Sequence, residues 1–145
     1  IHNNKYSTAK KMKIIYRALT QLNNAKVQKN PCGASINMIA IDINGDIFPC
    51  HRFVSSEIHK IGNVNTNIDR EKFIEQLLNN ETKFDECNEC IVKIFCRGSC
   101  PYENYNNTKT LNRPSIRQCY FNKVFYTQII HLYLDLSEEQ KVNLF

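Results

Sequence analysis

The chain has 145 residues, a formal net charge of +5 and a hydrophobic fraction of 42%, values typical of a single soluble globular domain. No stretch approaches the ~18 consecutive apolar residues of a transmembrane helix, and the first residues lack the apolar core of a signal peptide. The basic residues near the start come without an interleaved aromatic patch and are typical of a solvated helix face. We therefore expect a cytoplasmic protein with no nucleic-acid partner and no contact with a membrane.

Residues 8–22 have the spacing of an amphipathic helix, with basic residues between the apolar positions. Ser7 is a suitable N-cap, and Asn23 followed by the Asn30-Pro31 pair is typical of a helix end. The apolar positions that define the predicted face are Met12, Ile15, Tyr16, Leu19 and Leu22.

Residues 38–49 predict a β-hairpin. Two apolar runs flank Asn44-Gly45, the dipeptide best able to take the positive φ values of a tight turn. Pro49 has no N–H to donate to a strand ladder, so we expect the second strand to end just before Cys50.

The remaining regular elements are predicted to be helical. Residues 69–79 and 119–135 have helical spacing, and Ser137 and Gln140 have the spacing of a capping box for one more short helix. Residues 84–119 show no regular spacing of apolar residues. We therefore expect an irregular segment whose order comes from something other than an apolar core. The apolar face of the helix at 69–79 comprises Phe73, Ile74, Leu77 and Leu78.

The fold class predicted from these elements is α+β: a small cluster-stabilised domain with a β-hairpin, short helices and long irregular loops that carry cysteines.

The unusual feature of the composition is the presence of seven cysteines. An odd number cannot all pair as disulfides within one chain, and nothing in the sequence argues for export. A protein that keeps this many thiols most often uses them to bind metal. The cysteines stand at Cys32 and Cys50 with Gly45 between them, then at Cys87, Cys90, Cys96 and Cys100, and finally at Cys119.

Two kinds of metal centre are compatible with this spacing. Four thiolates saturate one [4Fe–4S] cluster, so that seven thiols divide as four plus three, and Cys100-Pro101 resembles the end of a bacterial ferredoxin run. The rival is a zinc site with three cysteines of the second group and either Cys100 or Cys119, although zinc knuckles are usually more widely separated. The residues alone also leave open which of Cys100 and Cys119 completes the set of four.

The cysteine series, with Gly45 at its fixed place, resembles the seven-cysteine SPASM domain, the C-terminal extension of radical S-adenosylmethionine enzymes that modify peptides. The resemblance covers about residues 31–125. Three sequence segments resemble the branch of thioether-forming peptide maturases. They begin with Cys32-Gly-Ala, with Ala40-Ile-Asp-Ile-Asn-Gly and with Ile61-Gly-Asn-Val64.

The resemblance implies two auxiliary [4Fe–4S] clusters. It assigns Cys100, with Cys32 and Cys50, to one of them (auxiliary cluster I). Some family members supply a further upstream cysteine to this cluster, and residues 1–31 contain none, so one iron is expected to have an open site for a substrate thiolate, water or another ligand. The other cluster (auxiliary cluster II) is assigned Cys87, Cys90, Cys96 and Cys119.

His51 marks a second departure from the family. Sulfatase-maturing members have Asp directly after the cysteine that ends the hairpin, so their proton-accepting role does not transfer to this chain. A neutral imidazole is suited to accept a proton near substrate or to bind the open iron, while the simpler interpretation is a hydrogen-bonded support for the cluster loop. Arg52 is suited to shield the charge of a cluster rather than to bind a peptide.

The radical-generating centre of such enzymes needs Cys-x3-Cys-x2-Cys, which leaves one iron free for the cofactor. Cys96 and Cys100 begin that spacing, but position 103 is Glu. We therefore expect S-adenosylmethionine and a third cluster only in an upstream domain. The division predicted is 1–30 as the helical tail of that barrel domain, 31–125 as the SPASM domain and 126–145 as a C-terminal helical extension.

The function expected from the resemblance is auxiliary, with no catalytic residue on this chain. Its clusters would relay electrons for the upstream domain while that domain modifies a peptide or protein substrate, and one cluster would bind the substrate thiolate. Two other classes stay open: a zinc-binding or iron–sulfur module that binds a partner protein, and a free-standing electron carrier.

Overall fold

The computed structural model describes residues 5–25, 32–78 and 87–145. Within these ranges the chain forms seven α-helices and one three-stranded antiparallel sheet in the order β1-β2-β3, which confirms the α+β class. The elements are α1 (Tyr6–Lys11), α2 (Lys13–Asn23), β1 (Ala40–Ile41), β2 (Asp46–Phe48), β3 (Gly62–Asn63), α3 (Glu71–Leu78), α4 (Lys93–Cys96), α5 (Pro101–Thr108), α6 (Ile116–Leu134) and α7 (Glu138–Leu144).

The prediction of a single helix over 8–22 is wrong in one respect, because the helix is interrupted at Met12 and forms two segments. The Met12 N–H donates to the Ala9 carbonyl at 3.1 Å, a tight three-residue closure that ends α1 before α2 begins. Ser7 lies inside α1, and Lys5 occupies the N-cap position without a capping side-chain bond. The predicted end at Asn23 is confirmed, whereas Asn30-Pro31 lies outside the described residues.

The first two helices pack against the end of the chain. Ala18 and Leu19 of α2 are buried against Ile129 of α6 and against Leu136 and Leu144. This helical cluster is separate from the core beneath the sheet. The domain limits at residues 30 and 125 stay predictions.

The hairpin forms in the predicted place. Ala40 pairs with Phe48 and Ile41 with Ile47, and β2 ends before Pro49. The Asp42 carboxylate accepts hydrogen bonds from the N–H groups of Asn44 and Asp46, each at 2.9 Å, and so closes the turn. Of the predicted turn pair only Gly45 takes a positive φ, +80°.

A third strand, β3, was not predicted because it is only two residues long. It pairs Asn63 with Asp46 and covers the second edge of β2. Beneath the sheet lies the main core, to which α3 contributes. The predicted helix at 69–79 is confirmed over Glu71–Leu78, but Leu78 is exposed despite its place on the predicted apolar face. The buried members of this core are Ala34, Ile47, Phe48, Cys50, Phe53, Ile61, Phe73, Leu77 and Leu111.

The expectation that residues 84–119 lack regular structure is wrong for its described part. Pro101 starts α5 at a position where no N–H is needed, and Cys100 occupies the N-cap. The helix is polar along most of its length, yet Tyr102 and Tyr105 pack against the main core and Asn104 is buried. A face of two tyrosines and one asparagine gives almost no hydrophobic periodicity, which explains the failure of the pattern.

The last helices follow the prediction with one shift. α6 begins at Ile116 because Ser115 caps it, its hydroxyl accepting from the Gln118 N–H at 3.3 Å. Cys119 therefore lies in the first turns of α6. The capping box of α7 is confirmed: the Gln140 N–H donates to the Ser137 hydroxyl at 3.2 Å, and the Ser137 N–H donates to the Gln140 side chain at 3.0 Å. Over the described ranges, no helix combines the length and the apolar character needed to cross a bilayer.

Candidate metal centre

All seven cysteines lie in the described ranges, where none of them is joined in a disulfide. Cys50 is buried, with 8% of its surface exposed, and the other six are half-buried. Half-buried thiols on loops and helix ends are accessible to metal and yet partly shielded from water. This is the environment in which thiolates are used as ligands rather than as inert core residues.

One cavity, of about 210 Å³, is lined by Cys87, Cys90, Cys96 and Cys119. The first two lie in the turn before α4, the third ends α4, and the fourth is in α6. We call these four residues the cavity set. Among the described side chains, no three His, Cys, Asp or Glu residues converge closely enough to hold a single metal ion. The four thiols thus surround a space instead of meeting at a point.

The thiol of Cys96 has a hydrogen-bond donor that the sequence analysis missed. Asn122 is 8% exposed, and its Nδ2 atom donates to the Sγ atom of Cys96 at 3.2 Å. The Nε2 atom of Gln118 donates to the Asn122 Oδ1 atom at 3.0 Å and fixes the amide. Asn122 is one helical turn after Cys119, so that spacing was the one available signal for its role.

The cavity set is electrostatically coupled and lies among basic groups. Burial raises the pKa of the Cys119 thiol, the neighbouring Cys96 and Cys87 thiols raise it further, and Lys123 opposes the rise. Lys93, Arg97 and Lys123 all line the cavity. Several thiolates held together need such cations, because their mutual repulsion otherwise favours the protonated forms.

The remaining cysteines, Cys32, Cys50 and Cys100, come together elsewhere, and we call them the hairpin set. Cys50 follows β2 and starts a 3-10 turn over His51–Phe53, while Cys100 caps α5. The Ala34 N–H donates to the Cys32 Sγ atom at 3.5 Å. Burial raises the pKa of the Cys32 thiol; the Cys100 and Cys50 thiols add to the rise, and the Ala34 N–H and Arg97 oppose it.

A backbone reversal separates Cys96 from Cys100. Arg97, Gly98 and Ser99 have successive φ values of +47°, +90° and +66°, a left-handed run that only glycine adopts at low cost. The run reverses the chain, so that Cys96 lies with the other cysteines of the cavity set and Cys100 lies with those of the hairpin set. Residues 97–99 thus form a defined turn between the two sets of cysteines.

Asn104 supports this reversal from within the core. Its side chain is 1% exposed, and its Nδ2 atom donates to the Gly98 carbonyl at 2.5 Å and to the Leu111 carbonyl at 2.9 Å. Both amide hydrogens are therefore used to hold two irregular segments together. Nothing in the sequence distinguished Asn104 from the other asparagines of this Asn-rich chain.

Arg52 lies beside the hairpin set. Its Nη1 atom donates to the Cys100 Sγ atom at 3.3 Å, and its Nη2 atom pairs with the Glu103 carboxylate. Burial lowers the pKa of the Arg52 guanidinium, but the hydrogen bonds to Glu103 and Cys100 outweigh that effect and raise it overall. The guanidinium thus keeps its positive charge next to a thiol.

The two histidines near this set differ in environment. His51 is exposed on the 3-10 turn beside Cys50, and its role as proton acceptor or ligand stays a prediction. His59, which the sequence analysis did not single out, is 6% exposed and packs against Phe53 and Tyr105. Its Nδ1 atom lies 2.8 Å from the Ser56 hydroxyl, and burial lowers its pKa.

Two comparisons with known proteins support an iron–sulfur domain and the fold. Residues 32–101, just under half of the chain, match the family model SPASM, described as an iron-sulfur cluster-binding domain. A solved structure of a histidine-tagged protein, described as "anSMEcpe with bound AdoMet", superposes with a TM-score of 0.56 at 17% sequence identity, and so has a similar fold. The match covers 90% of this chain but only 36% of that one. No curated protein matches the sequence.

Proposed function

We propose that this chain holds two [4Fe–4S] clusters and is the auxiliary cluster-binding part of a radical S-adenosylmethionine enzyme that modifies a peptide or protein. The observation that carries the proposal is the cavity between the four cysteines of the cavity set, which come from three separate elements. The match of residues 32–101 to an iron-sulfur domain family supports it independently.

The residues of the cavity set fit a cluster in number and in charge. Four cysteine thiols around one cavity, none of them in a disulfide, are a complete ligand set for a [4Fe–4S] centre. Lys93, Arg97 and Lys123 along the same cavity offset part of the negative charge that four thiolates and their cluster carry. Hydrogen bonding to Cys96 by Asn122 is the kind of outer contact that orients a ligand.

The hairpin set supplies three ligands to the second cluster in this proposal. Its fourth position is open to a ligand from elsewhere, for which we propose a thiolate of the peptide substrate. His51 is the alternative on this chain because it directly follows Cys50 and is exposed.

Bound clusters supply reversible one-electron transfer at potentials set by their surroundings. The chain's own part is to bind them, keep them half-shielded from water and orient one open position towards substrate. S-adenosylmethionine and a third cluster belong to an upstream domain in this proposal, with residues 1–30 as its helical tail and 126–145 as an extension. The bound AdoMet named for the structural neighbour belongs to that protein, of which this chain spans 36%.

Metal and sulfide analysis tests the proposal. After anaerobic reconstitution with iron and sulfide, we expect about eight iron and eight sulfide per chain and a brown absorbing protein. The control variant Cys87→Ala with Cys90→Ala should keep about half of both, since the hairpin set is untouched. Stoichiometric zinc without sulfide would instead identify a zinc-binding interaction module and contradict the proposal.

A further inference from the structure

The side chain of Arg52 contacts the sulfur of one member of the hairpin set and belongs to a residue next but one to another. Arg52 is two residues after Cys50, and its Nη1 atom donates to the Sγ atom of Cys100 at 3.3 Å. Arg52 and Cys100 are 48 residues apart in sequence. The guanidinium therefore crosses from the end of the hairpin to the start of α5 in order to reach a sulfur atom.

Two further groups hold the guanidinium in that place. Its Nη2 atom pairs with the Glu103 carboxylate, and its Cζ atom lies 4.8 Å from the centre of the Tyr102 ring. Tyr102 and Glu103 belong to the first turn of α5, which Cys100 caps. A planar guanidinium can stack on a ring while separate N–H groups bind sulfur and carboxylate, an arrangement that an ammonium group does not reproduce.

Stability is a weak reason for this arrangement. The side chains of Arg52 and Glu103 are 38% and 41% exposed, and exposed ion pairs contribute on the order of 0.2–1 kcal/mol. A hydrogen bond from a cation to a metal-ligating sulfur, in contrast, has a direct electronic consequence. It stabilises the extra negative charge that the ligand and its centre carry after reduction.

We infer that Arg52 raises the reduction potential of the cluster held by Cys32, Cys50 and Cys100, through its hydrogen bond to the Cys100 sulfur, and that Glu103 moderates the effect. The inference rests on the proposed function. Reduction adds one electron and changes no covalent bond, so the guanidinium acts only through its field and its hydrogen bond. Arg52 is a positioning and tuning residue, not a catalytic one.

Replacing Arg52 and replacing Glu103 should shift the reduction potential of this cluster in opposite directions. In Arg52→Gln the cation next to Cys100 is lost, so the reduced state is less stabilised and the potential falls. In Glu103→Gln the amide oxygen still accepts from the guanidinium, but the negative charge that offsets it is gone, so the potential rises. A merely structural role for the pair would move both variants in the same direction.

The experiment is an anaerobic redox titration, followed by electron paramagnetic resonance, of the whole chain reconstituted with iron and sulfide. We expect Arg52→Gln to lower the equilibrium constant for one reduction step by about tenfold, ~59 mV for a one-electron couple, and Glu103→Gln to raise it. The potential of the other reduction step should not change in either variant. The matched control is Arg70→Gln, which removes the same charge from an exposed arginine just before α3 and should shift neither step.

Each result has one meaning. Unchanged potentials in Arg52→Gln, or a shift equal to that in Arg70→Gln, overturn the inference while leaving the proposed function intact. A wild-type chain that takes up no iron and sulfide overturns the proposed function itself. If Arg52→Gln fails to load its clusters, Glu103→Gln decides alone, because it keeps the guanidinium: an unchanged or lowered potential there overturns the inference.

Discussion

The Nδ2 atom of Asn122 lies 3.2 Å from the Sγ atom of Cys96 and donates a hydrogen bond to it. The contact joins α6 to the end of α4 across 26 residues of sequence. Gln118 fixes the orientation of the amide, and Cys119 stands between Gln118 and Asn122 on the same helix. One stretch of α6 thus supplies both a thiol and the donor for another thiol.

Replacing Asn122 should therefore affect the cavity set alone. With a cluster bound by the cavity set, as proposed, we expect Asn122→Ala to retain iron and sulfide but to lower the reduction potential of that cluster, because a neutral hydrogen bond to the sulfur of Cys96 is lost. The measurement is the same redox titration, and Gln118→Ala should give a smaller shift in the same direction. A shift of the cluster bound by the hairpin set, with the cavity set unchanged, would contradict the assignment.

Asn104 offers a test of the backbone reversal between the two sets. Asn104→Ala leaves the half-buried Gly98 carbonyl and the buried Leu111 carbonyl without this donor, and we expect a loss of about 2 kcal/mol in the free energy of unfolding. Asn104→Asp should cost more, because it places an acceptor against two carbonyl oxygens. Denaturant unfolding measures both variants, and equal stability of the Asp variant and wild type would refute the role given to Asn104.

The sequence predicts the parts of this fold that rest on local physics. The Asn44-Gly45 turn, the strand end before Pro49 and the Ser137–Gln140 capping box each need only a few neighbouring residues, and each is confirmed. The break at Met12 and the strand β3 depend on closures that no local pattern indicates.

The site was harder to predict because its decisive contacts are long-range. Two residues of the reversal, Arg97 and Ser99, take left-handed backbone conformations that their side chains do not favour, and only Gly98 signals a turn. Nothing in this Asn-rich sequence marks Asn104, and the one sequence signal for Asn122 is its place one helical turn after Cys119. The helix α5 was missed since its core-facing side carries two half-buried tyrosines, Tyr102 and Tyr105, and the buried Asn104 rather than aliphatic residues.

His59 should make stability depend on pH. Burial lowers its pKa in the folded chain, so the unfolded chain, with an ordinary value near ~6.5, binds the proton more readily. The contribution of neutral His59 to the free energy of unfolding is complete above the pKa of the unfolded chain and is lost as the pH falls below that value. The loss has a slope of at most about 1.4 kcal/mol per pH unit until the pKa of the folded chain is reached.

The measurement compares wild type with His59→Phe, which keeps an aromatic ring against Phe53 and Tyr105 but cannot titrate. The free energy of unfolding should fall more steeply in wild type than in the variant between about pH 7 and about pH 5. Taking the difference removes the acid response that the two proteins share. Parallel curves would show that His59 does not contribute.

The two ways of dividing the cysteines predict different results for Cys100 and Cys119. In the proposed division, Cys119→Ser removes a ligand from the cavity set and Cys100→Ser one from the hairpin set, which then keeps only Cys32 and Cys50. We therefore expect Cys119→Ser to lose the reduction step that Asn122→Ala shifts, and Cys100→Ser to lose the step that Arg52→Gln shifts. If instead Cys100→Ser removes the Asn122-sensitive step, Cys100 completes the set of four and the division is reversed. The backbone reversal at Arg97–Ser99 is the physical reason to expect the first result, since it turns Cys100 away from Cys96 and towards Arg52.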